Sequence, residues 1–409
     1  MTDALEGLKV LDLSRVLAGP FAAQMLGDLG ADVIKVERPA RAGTAGGDDT
    51  RSWGPPWSAR SDGSRGDATY YFAANRNKRS LAIDFHTTEG ASLVRSLIGQ
   101  ADVVIENYKT GDLARFGLDF AQLRGDHPGL VWCSITGFGH ASPNAERAGY
   151  DFMIQAEAGL MSITGESGGR PLRAGVAVAD LTTGMMAVTA ILSALRHKDR
   201  TGEGQHIDMA LFDTTLGWMA NQATGWLMGD FEPRRMGNQH PSIAPYQDFQ
   251  TATRPIALAV GNDGQFAAFA RIAGQPQWAE DPSFKTSAAR SANRESLLPG
   301  VEAILKTQPA EHWLALLEQA QIPAGPIATI PEALSSEQAK ARGIVVEQKH
   351  PQAGTIRTVA QPLALEKTPP SYRRPPPMTG EHSREILREL GLPDADVARL
   401  LAAGIISTP

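Results

Sequence analysis

The sequence predicts an α/β protein, with a larger domain built on a parallel sheet that carries helices on both faces and a smaller α+β domain. Three observations lead to this prediction. Short apolar runs such as DVVI and LVWCSI are typical of strands buried on both faces. Segments with helical spacing separate these runs, as crossovers between parallel strands require. Beyond residue 225 the alternation gives way to a hairpin pattern and to helices with polar faces.

The opening stretch, KVLDLSRVLAGPFAAQMLGDLGADVIKVE, predicts a first unit of strand, helix and strand. Val10–Leu13 is the expected first strand, Pro20 lies in the first turn of the helix, and Gly30 ends that helix. A second strand, Val33–Val36, stops at Glu37, as happens in many dinucleotide-binding units. The turn contains A-G-P instead of G-x-G-x-x-G, so only the β-α-β pattern supports an NAD-dependent dehydrogenase.

The elements that follow continue the alternation. Residues 41–67 are rich in Gly, Ser and Pro and predict a long surface loop. Next come a strand in SLAIDF, a helix in TTEGASLVRSLIGQA with Thr87 or Thr88 near its cap, and strands in DVVIEN and GLVWCSITGFG. Two helices are then expected, YDFMIQAEAGLM and LTTGMMAVTAILSALRHK, with Asp180 at the cap position just before the second.

Four segments describe the predicted domain organisation. Residues 1–200 form the first part of the large domain, 201–225 a linker helix, and 226–325 the small domain. In the small domain, FQTATRPIALAVG predicts a hairpin with an arginine-proline turn. Residues 326–409 are expected to return to the large domain and complete it, through a proline-rich extended stretch and a terminal helix.

Composition and charge exclude several classes of protein. The 409 residues carry a net charge of -6, so no global field attracts nucleic acid or an anionic membrane. The N-terminus lacks the basic and apolar regions of a signal peptide, and the apolar runs are shorter than the ~18 residues of a membrane span. The single cysteine, Cys133, excludes an internal disulfide framework, and its place in LVWCSI predicts a buried thiol. We expect a cytoplasmic protein that binds neither nucleic acid nor membranes.

Carboxylate chemistry is the main catalytic hypothesis that the motifs leave. The sequence has no G-x-x-x-x-G-K-[ST] loop, no G-x-S-x-G elbow, no H-E-x-x-H and no histidine pair at metal-ligand spacing, so no metal site is expected. Asp180 lies where the helix dipole favours its ionised form, and it could act as a nucleophile toward an activated acyl group. The alternative is that Asp180 only caps the helix.

A cluster of cations is the local exception to the acidic character. NRNKRS places Arg76, Lys78 and Arg79 within four positions. Both an anion-binding site and a solvated turn are compatible with this pattern.

Eight segments, in order, carry a family resemblance: KVLDLSRVLAGPFAAQMLGDLGADVIKVE, NRNKRSLAIDF, ADVVIENYKTGDLARFGL, SITGFG, RAGVAVADLTTGMMA, RMGNQHPSIAPYQDF, IPAGPI and PPPMTGEH. They resemble the signatures of the family III CoA transferases, the group of formyl-CoA and carnitine-CoA transferases. The resemblance covers essentially the whole chain. It implies a Rossmann-like large domain that binds coenzyme A without a G-x-G-x-x-G turn, with acyl-CoA as substrate and no tightly bound cofactor.

The resemblance also implies, by position, which residues bind CoA. Arginine suits phosphate because its donors are forked and permanently charged, and an apolar slot suits adenine. The implied residues are Val16 and Ala18 along the CoA chain, Arg38 near the adenine or its phosphate, Ile83 and Phe85 beside the adenine, Asn107 and Tyr108 along the pantetheine path, and Arg115 at a phosphate, with Lys78 and Arg79 as additional helpers.

Asp180 falls at the position of the family's catalytic aspartate. The implied route is attack of its carboxylate on an acyl-CoA thioester, which gives a mixed anhydride and then an aspartyl-CoA thioester that passes CoA to a carboxylic acid. HPSIAPYQDF resembles members that exchange dicarboxylates, which favours succinyl-CoA as donor and a C4 to C6 diacid as acceptor. Leu17 is apolar where formyl-CoA transferases carry a polar residue, which disfavours oxalate and formate.

Two alternatives remain close to this interpretation. The α-methylacyl-CoA racemases share the fold but carry a histidine where this chain has Tyr150, followed by Asp151. Tyrosine, with an ordinary pKa near ~10, replaces a proton-shuttling histidine poorly. A CoA-binding regulatory protein without catalysis is the other, and an ionisable Asp180 disfavours it. The family also forms two-fold dimers of interlinked chains, so the resemblance implies an interlinked homodimer.

Overall fold

The computed structural model describes residues 3–41, 46–60 and 62–409, and the chain forms two compact units. The larger unit comprises Met1–Leu160, Ala174–Thr224 and Glu337–Pro409, and the smaller unit comprises Met161–Arg173 and Gly225–Ser336.

The predicted domain boundaries need three corrections. Residues 161–173 belong to the smaller unit, because their backbone pairs with it, as in the bond from the Gly237 N–H to the Gly165 carbonyl at 2.9 Å. The smaller unit also extends to Ser336. Residues 201–225 are not a linker helix, since they supply a strand of the main sheet before two helices.

Fourteen strands lie in the described part of the chain. They are β1 (Lys9–Asp12), β2 (Asp32–Glu37), β3 (Trp57–Ala59), β4 (Arg65–Ala68), β5 (Lys78–Ile83), β6 (Val103–Glu106), β7 (Val131–Thr136), β8 (His206–Ala210), β9 (Tyr246–Phe249), β10 (Ile256–Ala259), β11 (Ala324–Pro326), β12 (Val345–His350), β13 (Gly354–Val359) and β14 (Ile406–Ser407).

Seventeen α-helices lie in the same described residues. They are α1 (Ala18–Asp28), α2 (Thr69–Phe72), α3 (Thr88–Ile98), α4 (Phe120–Leu123), α5 (Asp151–Glu157), α6 (Leu160–Ile163), α7 (Val178–Thr201), α8 (Leu211–Trp218), α9 (Ala220–Gly229), α10 (Asp263–Ile272), α11 (Ser287–Ala292), α12 (Arg294–Leu305), α13 (Ala310–Gln319), α14 (Ile330–Ser335), α15 (Glu337–Ala341), α16 (Ser383–Glu389) and α17 (Asp394–Ala402).

The main sheet of the larger unit confirms the predicted α/β class. Its seven strands lie in the order β14-β5-β2-β1-β6-β7-β8, and every pair is parallel except β14 with β5. The order reverses at β1, with β2 on one side of it and β6 on the other. Loops that leave the carboxyl ends of such neighbouring strands diverge, and the crevice between them is where open α/β sheets bind ligands.

Alternate residues of each central strand enter two separate cores. Val103 and Ile105 of β6 pack in a core with residues of α1 and α7, whereas Val104 packs in a second core with residues of α3 and α16. Successive side chains of a strand point to opposite faces, so a strand buried on both sides is apolar throughout. This explains why DVVI and LVWCSI were recognisable as strands.

The smaller unit is built on the antiparallel sheet β9-β10-β11. The predicted hairpin is confirmed as β9 and β10, and in its turn the Thr251 hydroxyl accepts the Arg254 N–H at 3.3 Å. Phe249, Phe266 and Trp313 belong to the core of this unit.

The prediction of a surface loop at residues 41–67 is wrong for much of that segment. Residues 42–45 and 61 lie outside the described residues, but the rest contains β3, the first residues of β4 and a 3₁₀ turn at Asp49–Ser52. Arg51 is buried and donates to Glu37 at 2.8 and 2.9 Å. Buried charge pairs have the same composition as an exposed polar loop, which is why the sequence misled.

Helix α7 begins before Asp180, not after it. Its N-cap is Ala177, so Asp180 lies in the first turn and is not the predicted cap residue. By length and composition α7 could also cross a membrane, contrary to the expectation from the apolar runs. Its Ala187, Val188 and Ile191 pack in the core of the larger unit, and core helices of globular proteins commonly have this composition.

Candidate active site

A cavity of about 370 Å³ lies at the carboxyl ends of β1, β6 and β7 in the larger unit. It occupies the crevice that the reversed strand order creates. Five predicted site residues line it: Val16, Ala18, Asn107, Tyr108 and Asp180. The structure therefore brings the predicted nucleophile together with the predicted path of the CoA chain.

The turn between β1 and α1, residues 13–17, forms one wall of this cavity. Val16 has φ of 71°, which is rare for a β-branched residue. Asn107 holds the preceding residue from both sides: its Oδ1 accepts the Arg15 N–H at 2.8 Å, and its Nδ2 donates to the Arg15 carbonyl at 2.7 Å. Asn107 follows β6 directly, so the two strands that flank the crevice are joined at the cavity wall.

Tyr108 forms the neighbouring part of the wall. Its N–H donates to the buried Glu106 carboxylate at 2.8 Å, and burial raises the pKa of the Tyr108 phenol to about 12. The phenol is therefore a neutral group at physiological pH. Such a ring offers an apolar face and a single donor to a ligand in the cavity.

Asp180 presents an unengaged carboxylate to the cavity. Burial, and then the nearby Asp151 carboxylate, raise the pKa of Asp180 to about 7. Within the described residues, no group donates a hydrogen bond to this carboxylate. A carboxylate with a raised pKa is a stronger nucleophile than an ordinary one, so the site favours attack on an electrophile.

Asp151 does the capping that was predicted for Asp180. Its Oδ1 accepts the Ala179 N–H, in the first turn of α7, at 2.8 Å, and its Oδ2 accepts from Gln155 Nε2 at 2.7 Å. Gln155 Oε1 in turn accepts the Ala174 N–H at 2.9 Å. Because Asp151 is buried and satisfied in this way, the helix start is stabilised without Asp180.

Tyr70, which is not among the residues that line the cavity, lies close enough to the site to feel its charges. Burial, and then the negative charges of Asp180 and Asp151, raise the pKa of Tyr70 to about 12. Its ring packs edge-on against Trp53, with ring centroids 5.5 Å apart. Tyr70 follows the segment that was predicted as a loop, so no periodicity marked it.

Arg38 and Arg115 lie outside the cavity. Arg38 is half-exposed and pairs with Asp49 at 2.6 Å, and Asp49 also accepts from the cavity residue Arg15 at 3.0 Å. Arg115 is exposed, pairs with Asp112 at 2.8 Å, and lines a separate depression of about 510 Å³ that also contains His86. Both guanidinium groups are accessible to a long anionic ligand.

Ile83 and Phe85 do not line the cavity. Ile83 is 1% exposed in the sheet, where β14 covers it, and it belongs to a core cluster. Phe85 is also buried, stacked on His86 with centroids 5.0 Å apart and edge-on to Tyr108 at 5.8 Å. Contact of Ile83 and Phe85 with adenine stays a prediction. In the stacked pair of Phe85 and His86, the His86 ring is the one exposed to solvent.

The basic cluster in NRNKRS is neither an anion site nor a solvated turn. Arg76 pairs with Asp28 at 2.6 Å, Lys78 with Asp12 at 2.8 Å, and Arg79 with carboxylates that include Asp32 at 2.5 Å. All three cations are buried, so they are not available to a phosphate. The suggestion that Lys78 and Arg79 help to bind CoA is therefore wrong.

A sequence profile of CoA-transferase family III matches residues 5–383, and the chain belongs to this family of enzymes. Among its relatives, the succinate–glutarate CoA-transferase of Agrobacterium fabrum is 47% identical over 391 residues, which are 94% of this chain and 95% of that protein. The succinyl-CoA:glutarate CoA-transferase of Homo sapiens is 40% identical over 403 residues, 98% of this chain and 90% of that protein.

A solved structure agrees with this assignment. A CAIB/BAIF family protein from Brucella suis has 46% sequence identity and a TM-score of 0.85, and the match covers 95% of this chain and all of that one. These relatives confirm the predicted family and do not favour the racemase alternative.

Proposed function

We propose that this enzyme moves CoA from succinyl-CoA to a dicarboxylate acceptor of glutarate size, and that Asp180 is its covalent nucleophile. The observation that carries the proposal is the Asp180 carboxylate itself, which faces the cavity without a hydrogen-bond donor and with a pKa near 7. The names of the A. fabrum and human relatives support the choice of substrates.

The proposed reaction needs only the Asp180 carboxylate and the CoA thiol. The carboxylate attacks the thioester carbonyl of succinyl-CoA, the C–S bond breaks, and CoA thiolate leaves a succinyl-aspartyl anhydride. The thiolate then attacks the aspartyl carbonyl and expels succinate, which leaves an aspartyl-CoA thioester. The acceptor carboxylate repeats the two steps in reverse and regenerates Asp180. Each step exchanges one anion for another, so no net proton or redox equivalent is required.

The local geometry suits this chemistry because the cap of α7 is Asp151. The Asp180 side chain can therefore change its conformation between the anhydride and thioester intermediates without breaking a hydrogen bond at the start of α7. No tightly bound cofactor enters this scheme.

CoA is proposed to lie across a Rossmann-like sheet. The six parallel strands have the order 3-2-1-4-5-6, typical of that fold, and the cavity is at its reversal point. The thioester would lie against the turn at residues 13–17, and the phosphates would extend toward the exposed guanidinium groups of Arg38 and Arg115.

An interlinked homodimer is proposed as the working form. Helix α9 has no buried residue although it carries Trp226, Leu227 and Met228, and Leu227 is 80% exposed. A run of large apolar side chains on the surface is typical of a protein interface. The acidic charge and the single buried thiol are compatible with the cytoplasmic location expected from the sequence.

A donor and acceptor screen tests the function. Succinyl-CoA is incubated with glutarate, adipate, oxalate or acetate, and new CoA thioesters are measured by mass spectrometry. We expect glutaryl-CoA to form fastest and oxalyl-CoA to be absent. No transfer to any dicarboxylate would rule out the proposed substrate class, whereas exchange of an α-proton with deuterated water would support an isomerase.

A further inference from the structure

The turn at residues 13–17 is held by a buried network of charges that the proposed chemistry does not use. Lys35, in the middle of β2, donates to the Ser14 carbonyl at 3.0 Å and pairs with Asp48 at 2.9 Å. The Asp48 carboxylate in turn accepts the Val16 N–H at 3.3 and 3.4 Å. Lys35 and Asp48 are both buried, with no exposed side-chain surface.

This network and Asn107 together fix three consecutive residues of the turn. Lys35 holds the carbonyl of residue 14, Asn107 holds both backbone groups of residue 15, and Asp48 holds the N–H of residue 16. A β-branched residue at positive φ persists only where its surroundings over-determine it. The backbone of Val16 is therefore held in its unfavourable conformation from three directions.

Asp48 is anchored independently of the turn. Its Oδ1 accepts the Thr50 N–H at 3.0 Å and the Thr50 hydroxyl at 2.7 Å, and its own N–H donates to Glu37 at 2.9 Å. Although burial alone would raise the pKa of Asp48, Lys35 and the Thr50 hydrogen bonds lower it to about 2. Asp48 is thus a rigid, charged acceptor to which the turn is attached.

We propose that Lys35 and Asp48 are positioning residues that hold Val16 in its left-handed conformation, so that the cavity wall formed by residues 16–18 faces Asp180 at the distance required for attack on the thioester. This rests on the proposed function, because the wall is where the thioester would lie. Neither Lys35 nor Asp48 lines the cavity, and both bond the backbone of the turn, so the turn connects them to the site.

The test is a double-mutant cycle on the full chain with two readouts. Asp48→Asn keeps the size and one acceptor but removes the charge that holds Lys35 and Val16. A displacement of about 1 Å can cost ~100-fold in rate, so we expect Asp48→Asn to lower kcat by ~100-fold and to leave KM for succinyl-CoA within about threefold. Glycine adopts positive φ without restraint. When Asp48→Asn is added to a chain that already carries Val16→Gly, kcat should therefore fall by less than ~10-fold relative to Val16→Gly alone.

Two further variants keep the test decisive. Asp67→Asn is the matched control, since Asp67 is a carboxylate of the same segment that pairs with Arg51 and does not touch the turn, and its kcat should stay within about twofold. If Asp48→Asn does not fold, the double change Lys35→Met with Asp48→Leu replaces the pair by apolar groups, which buried pairs often tolerate, and the cycle is repeated on it.

The outcomes separate this proposal from the proposed function. An equal loss of kcat with and without Val16→Gly would show that Asp48 has only a general structural role and would overturn the proposal, as would an unchanged kcat. The single-turnover yield of the adduct on Asp180 is measured in the unsubstituted chain as well. If that adduct forms while the cycle shows no coupling, only the positioning role is wrong; if no adduct forms, both proposals are wrong.

Discussion

At the scale of single residues, Asp180 differs from a structural aspartate because its carboxylate has no hydrogen-bond donor among the described residues. The first turn of α7 is capped by Asp151, and Asp180 accepts no hydrogen bond from the described residues. The sequence could predict that Asp180 was special through the family resemblance, but it misassigned the cap. Capping depends on a residue nearly thirty positions earlier in the chain, and such a long-range contact leaves no local pattern.

Asp180→Asn should abolish transfer and stabilise the fold above neutral pH. Asparagine cannot form the anhydride, so kcat should fall by several orders of magnitude while CoA still binds. Burial raises the folded-state pKa of Asp180 to about 7 from an ordinary value of 3.8, so ionising it costs folding free energy as pH rises through this window. The neutral amide avoids that cost, which is on the order of 2–4 kcal/mol.

The measurement is thermal unfolding of both proteins at pH 4 and pH 8, beside steady-state transfer. The gain in Tm should appear at pH 8 and vanish at pH 4. Full activity of Asp180→Asn, or an equal gain in Tm at both pH values, would contradict the proposed role of Asp180 as an ionisable nucleophile.

The pH dependence of transfer should depend on Asp151. Because Asp180 must be ionised to act as the proposed nucleophile, kcat should rise through a pH near 7 and level off above it. Asp151→Asn removes the neighbouring negative charge that contributes to the raised pKa, so the midpoint of the profile should move to lower pH. A pH titration of kcat from 5 to 9 measures both midpoints. Asp199→Asn, which alters an exposed carboxylate near the far end of α7, serves as control and should leave the midpoint unmoved.

Binding of CoA should depend on the exposed arginines. Arg38→Ala and Arg115→Ala each remove a proposed charged contact with a CoA phosphate, and the loss of such a contact should cost ~1–3 kcal/mol of binding free energy. Calorimetric titration with CoA measures the change, and Arg271→Ala, in the smaller unit and exposed, should leave the Kd unaltered. Unchanged affinity in both variants would mean that the phosphates lie elsewhere.

At the scale of elements, the site depends on the close packing of α1 against α7. Gly184 lies one turn after Asp180, and a Cβ built on it would be 2.7 Å from the carbonyl oxygen of Ala18, a cavity residue. Because backbone is the obstacle, no side-chain rotation can relieve the clash. The spacing between the proposed nucleophile, Asp180, and the opposite cavity wall at Ala18 thus depends on a residue without a side chain.

Gly184→Ala should therefore impair both stability and transfer. Overpacking of this kind typically costs ~1–3 kcal/mol, and α7 must move away from α1 to accommodate the methyl group. Thermal unfolding and kcat are the measurements. Gly264→Ala, where the nearest atom would be an ordinary 3.4 Å away, should change neither by much. Normal activity of Gly184→Ala would show that the site tolerates a wider spacing.

The elements themselves were predictable to different degrees. The strands of the main sheet were recognisable because burial on both faces makes them continuously apolar, as in β6 and β7. The segment around Arg51 was not recognisable as buried structure. Its charged side chains are buried against partners such as Glu37, and the sequence does not show which charges pair.

At the scale of the whole molecule, we expect a dimer that depends on α9. Leu227→Asp places a charge among exposed apolar side chains, and if they are buried between subunits it should weaken association strongly. Light scattering at micromolar concentration measures the mass. Gln308→Asp, a charge at an exposed polar position of the smaller unit, should remain dimeric. A stable monomer for the unsubstituted chain would refute the interlinked assembly.

The pairing of β14 with β5 has a consequence for how the protein is made. Ile406 lies beside Ile83, so the outer side of β5 is covered by residues that are synthesised about 320 positions after it. Until they emerge from the ribosome, a nascent chain carries an outer strand with unpaired backbone groups, which is a template for association with other chains. Translation that stops before residue 406 would leave this edge open permanently.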